Sequence, residues 1–118
     1  MGAVDLPACI AALERFPATL ATAVAGLSDA EARHRPPSGA WSIVEIVNHL
    51  ADEEMDDFPR RLRLILEDPR QDWPPIDPEG WARERDYQSR ELAESLERFA
   101  ARVGCARWSR RVRRRTGR

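Results

Sequence analysis

Lysine is missing from this chain: all 19 basic residues are arginine. A high-GC coding sequence produces the same bias, so the arginines alone carry no functional argument. No run of 18 apolar residues occurs, which excludes a membrane-spanning helix. The N-terminus also lacks the basic region, apolar block and cleavage site of a secretory signal, so a cytoplasmic protein is expected. Cysteine is limited to Cys9 and Cys105, near opposite ends and without a C-x-x-C. That spacing gives no disulfide framework and fits two reduced thiols in the same compartment. No alternating β-branched run appears, and an all-α fold is predicted.

What is present fits one soluble globular domain: 118 residues, 42% hydrophobic and 33% charged. The net charge of −1 conceals a division. All 20 acids lie at or before Glu97 with ten arginines, a net of −10, whereas residues 98–118 carry nine arginines and no acid. The apolar pattern is lost at the same place. Residues 1–103 are therefore assigned to a helical domain and 104–118 to an Arg-rich tail. Such a tail can neutralise phosphates without reading sequence. It can equally fold back on the acidic body, and no recognition helix accompanies it, so nucleic acid is the lesser reading.

Within the domain, Leu6, Ile10, Leu13, Phe16, Leu20, Val24 and Leu27 recur at helical steps, with Pro7 in the first turn and Pro17 as an internal kink. Ser28 and Glu31 have capping-box spacing before a single short turn. A second long helix runs from Ser42 to about Glu67, bent between Met55 and Phe58 by Pro59. Pro69 to Pro78 forms a connection, Asp77-Pro78 opens a short helix around Trp81, and Ser89 is expected to cap a third long helix holding Leu92, Leu96, Phe99 and Val103.

The segment Trp41 to Leu50 is the most informative. Ser42 and Glu45 form another capping box, and Ile43, Ile46, Val47 and Leu50 make an apolar stripe. His49 sits at its edge, with Glu45 at i−4, Asp52 at i+3 and Glu53 at i+4. Two readings stand side by side. In one, His49 is half-buried against Trp41 and bonded to Glu53 or Glu45; in the other it is a metal ligand. The acidic run from Asp52 to Asp57 reads as a solvated face with Met55 inward, relieved by Arg60, Arg61 or Arg63. Cys9 is expected to be a buried small residue, and the tryptophans to cover helix ends and the long connection.

From about Leu6 to Val103 the chain resembles the DinB-like superfamily of metal-associated four-helix bundles. The resemblance rests on Trp41-Ser-Ile-Val-Glu45, Asn48-His49-Leu50, Asp52-Glu53-Glu54, Phe58 to Leu62, Trp73 to Trp81, and Tyr87 to Phe99. It implies an antiparallel up-down bundle and a zinc or nickel ion held by three histidines. It also implies transferase, isomerase or hydrolase chemistry on a small thiol or other small molecule. Only His49 matches a family ligand; the H-x-x-x-H of the family's last helix does not occur here. Glu53 is the weaker, oxygen-donating candidate on the same surface. The expectation is thus a truncated or degenerate member, an incomplete four-helix bundle whose uncovered stripe is buried in a homodimer. The alternatives are a non-catalytic helical interaction module and nucleic-acid binding through the tail.

Overall fold

Two capping boxes and an Asp-Pro start set the helix boundaries in this computed structural model, which describes residues 3–101 and 114. Helix α1, Leu6–Ala23, is capped by Asp5, whose carboxylate accepts from the Ala8 amide at 3.1 Å, with proline in the first turn. Ser28 and Glu31 close a reciprocal box on α2, Asp29–Arg33, and Ser42 and Glu45 do the same on α3, Ile43–Asp52.

A π-helical turn, Glu53–Asp57, joins α3 to α4, Phe58–Glu67. Its cause is Pro59, which has no amide hydrogen for the Met55 carbonyl. The Phe58 amide instead reaches back five residues to the Glu53 carbonyl, widening the turn ahead of the proline. The interruption expected from Pro59 is therefore present, as a π turn.

The proline-rich connection ends at Asp77, whose side chain accepts from the Gly80 amide at 2.9 Å and opens α5, Pro78–Glu84. A Cβ at position 80 would collide with the Asp77 carboxyl, so a larger residue there would push that cap aside. A 3-10 turn, Tyr87–Ser89, leads to α6, Leu92–Ala101. Here one expectation fails. Ser89 does not cap α6; its hydroxyl donates to the Asp86 carbonyl at 3.0 Å, inside the 3-10 turn.

Helix α3 is central, packing along α6 and touching α2, α5 and the 3-10 turn. Val44, Val47 and Ala51 are fully buried on it. Ile10, Ala51 and Phe99 form a core cluster with Leu20 and Leu50 against it, and the Phe16 ring meets Phe99 edge-on at 5.8 Å. Helix α1 is lightly covered, with Ile10 its one buried residue. Cys9 is accordingly exposed rather than buried, because the inward stripe at that turn belongs to Ile10. No strand occurs among the described residues, and no helix among them is long and apolar enough to cross a membrane. The assigned tail, 104–118, lies outside the described residues except for Arg114.

Candidate functional site

Helix α3 and the π turn bring together the two sequence-predicted site residues. The His49 ring lies against Trp41, centroid to centroid 5.1 Å and tilted by 59°. Its Nε2 is 3.6 Å from Glu53 Oε1, an ion-pair distance too long for a hydrogen bond. Its Nδ1 is buried without a hydrogen-bond partner among the described residues. Burial pulls the His49 pKa below its ordinary value, against the opposing pull of Asp52 and Asp57. The imidazole is thus neutral near pH 7 and keeps a lone pair. Glu45, the other sequence-stated neighbour, is turned away. It pairs through both oxygens with Arg35 at 2.8 and 2.9 Å.

Glu53 is 6% exposed, and burial followed by its contact with Asp57 pushes its pKa up to about 7. Asp57 moves the other way. Burial raises it, but hydrogen bonds from Glu53 and Arg61 outweigh burial and hold it below the ordinary aspartate value. The Glu53 carboxyl is therefore only partly ionised near neutral pH, while Asp57 carries the charge of the pair. Arg61 Nε lies 2.7 Å from Asp57 Oδ1, and its guanidinium covers the Trp73 ring at 4.7 Å.

One turn beyond His49 is a larger cluster. Asp52 is fully buried and receives the Tyr87 hydroxyl, Arg85 Nη1 at 2.7 Å and Arg98 Nη2. Arg85 also reaches Asp56 at 2.8 Å and lies over Trp81 at 4.5 Å. Arg98 donates to the Asn48 side-chain carbonyl at 3.2 Å, and the Asn48 amide donates to Ser95 Oγ at 2.8 Å. Burial and the Asp52 charge raise the Tyr87 pKa, so its proton stays in place.

The acidic run thus faces inward, contrary to the reading of a solvated face. Asp52, Glu53, Glu54 and Asp57 are buried while Met55 is 36% exposed. Arg85, just after α5, and Arg98 on α6 hold Asp52, and Arg61 holds Asp57; a paired carboxylate can be buried where a lone one cannot. Arg61 was the one local partner foreseen correctly. Tyr87, Arg85, Arg98, Asn48 and Ser95 were missed. Their one sequence signal is spacing: Asn48 and Asp52 continue the buried face of Glu45 at three and four residues.

The donor set does not by itself fit a metal. His34 ends α2 on the exposed surface, and no group of three or more His, Cys, Asp or Glu able to hold an ion occurs among the described residues. Asp52 and Asp57 are committed to arginines. His49 is one donor in the right protonation state, with Glu53 beside it.

A sequence model of the DinB superfamily matches residues 12–116. A protein of Geobacillus thermodenitrificans named "Putative metal-dependent hydrolase" is 34% identical over 94 residues, covering 80% of this chain and 52% of that protein. "Putative metal-dependent hydrolase YfiT" of Bacillus subtilis is 30% identical over 87 residues, covering 74% of this chain and 48% of its own length. The chain therefore spans about half the length of these curated relatives. The solved structure of YfiT, described as a "probable metal-dependent hydrolase with an unusual four-helix bundle topology", superposes with a TM-score of 0.77 at 26% identity. That match covers 96% of this chain and 65% of the YfiT chain.

Proposed function

The chain belongs to the DinB superfamily, and on that premise we propose that it carries one ligand of a divalent-metal site of the hydrolase or thiol-transferase kind. The ligand is His49 and the metal class is zinc or nickel, with Glu53 as a weaker oxygen donor. One observation carries the reading: the His49 imidazole is neutral, half-buried, and free of any hydrogen bond that would occupy its nitrogens. A histidine kept for packing alone normally satisfies a buried nitrogen. The relatives' names supply the metal-dependent hydrolase class, and a small molecule is the substrate class of this proposal. Completing the site takes two or three further donors, since stable sites use about four ligands. They would come from outside the described residues, and this chain alone is read as a degenerate member.

Calorimetric titration of the purified chain with zinc and with nickel tests this. The expected result is binding weaker than micromolar that disappears in His49→Ala. Submicromolar affinity would show the site to be complete in this chain, and affinity indifferent to His49→Ala would remove His49 from it.

A second reading, homodimerisation, is favoured by α4. That helix buries none of its residues, and Phe58, Ile65 and Leu66 are exposed at i, i+7 and i+8 along one face. A second copy laying the same face against it would cover the row.

A further inference from the structure

Beside Trp41, a cleft of about 410 Å³ opens between the start of α3 and α5. Its walls include Arg35, Trp41, Glu79, Arg83, Asp86 and Gln88. The volume is in the range of small-molecule sites. Its charges are arranged unusually. Glu79 and Arg83 are spaced i,i+4 on α5, the spacing at which such residues ordinarily pair, yet no ion pair forms between them. Glu79 instead accepts from Trp41 Nε1 at 3.2 Å, and Arg83 has no side-chain partner among the described residues.

The remaining walls add to this. Arg35 spends Nε and Nη2 on Glu45, leaving Nη1 over. Gln88 is fixed by Ser42 Oγ at 2.6 Å and by the Arg33 carbonyl at 2.7 Å, so that wall is rigid. Asp86 holds its carboxylate at the rim from a left-handed backbone, φ 50, which only a few non-glycine residues adopt. Among the described residues, the cleft thus offers an unpaired guanidinium, two carboxylates without a cationic partner and an indole.

We propose that this cleft binds a small zwitterion, a molecule bearing both a carboxylate and an ammonium. Arg83 and the spare Arg35 nitrogen take its carboxylate, Glu79 and Asp86 take its ammonium, and the Trp41 indole lies beside its apolar part. A guanidinium grips a carboxylate through parallel hydrogen bonds, and a carboxylate holds an ammonium by charge. An anion alone would meet the two acids, and a cation alone would meet Arg83. The requirement for both charges follows. It stands apart from the metal reading, since no step of it involves His49 or an ion.

The test is a titration of the isotope-labelled full chain with L-phenylalanine, 3-phenylpropionate and 2-phenylethylamine, which share a ring and differ in charge. Phenylalanine is expected to shift the Trp41 indole signal and the Gly39 and Gln88 amides with millimolar affinity. The other two compounds should bind about tenfold more weakly. Arg83→Gln and Asp86→Asn, both at exposed positions and the second tolerant of a left-handed backbone, should each weaken phenylalanine binding while leaving the folded spectrum intact. No shift with about 10 mM phenylalanine would overturn the proposal. So would equal binding of either singly charged compound, or binding unaffected by both substitutions.

Discussion

Arg85 Nη1 stands 2.7 Å from one oxygen of Asp52, a side chain with no solvent exposure, and so ties α5 to the end of α3. Arg98 holds the other oxygen from α6. Three elements therefore converge on a single carboxylate. Removing it by Asp52→Ala leaves two cations and a phenol turned toward an apolar gap. Breaking a buried pair in this way costs about 3 kcal/mol. Urea denaturation should show that loss for Asp52→Ala, and a smaller one for Arg98→Ala, which leaves Asp52 paired with Arg85 and the Tyr87 hydroxyl.

The same pairing fixes an acid dependence. Burial raises the Asp52 pKa, but hydrogen bonds from Tyr87 and Arg85 and the charge of Arg98 outweigh it, placing the folded value below the ordinary 3.8. The unfolded chain thus binds protons more readily than the folded one. The stabilisation is complete above pH 3.8 and is lost as pH falls through the folded value. Thermal unfolding followed downward from neutral pH should show a falling melting temperature in that range. The fall should be shallower in Asp52→Asn.

Two serines that look alike as caps differ in the fold. Ser42 is 1% exposed, accepts from the Glu45 amide at 3.3 Å and donates to Gln88 at 2.6 Å. Ser42→Ala should cost about 1–2 kcal/mol in chemical denaturation. Ser89 is exposed and serves only a local turn. Ser89→Ala should stay within about 0.5 kcal/mol of the parent.

If the α4 row is covered by a second copy, sedimentation velocity at micromolar concentration should find a dimer, and Leu66→Glu should convert it to monomer. Leu66 is 55% exposed, so the substitution leaves the fold unharmed. A parent chain that sediments as a monomer would end the dimer reading.

The helices were legible because their starts are written in adjacent residues. Ser28 with Glu31, Ser42 with Glu45, and Asp77 before Pro78 each satisfy orphan amides locally, and all three caps occur as expected. The contact of His49 with Trp41 was foreseen for the same reason: it spans two turns. The bundle's family and helical fold were likewise carried by short motifs in order.

The direction of the acidic run was not legible. Its real partners, Tyr87 and Arg98, lie 35 and 46 positions from Asp52, while three arginines only a turn or two away offered a sufficient local explanation. Nothing in the run itself says whether its counter-charges arrive from solvent or from a facing helix. Cys9 failed for a related reason. The apolar steps of α1 imply a buried stripe, but Leu6, Leu13 and Phe16 remain 48%, 39% and 40% exposed, so the helix is less enclosed than its pattern.

The π turn at Glu53–Asp57 has one last bearing on the molecule. It houses a residue that a regular helix of about 3.6 per turn would not hold, so everything from Phe58 onward is offset by about 100° around the axis. The turn thereby sets where Arg61 and the α4 apolar row point relative to His49. Replacing Pro59 by a residue with an amide hydrogen, so that the stretch wound as an ordinary helix, would re-aim α4 by that angle and leave α3 where it is.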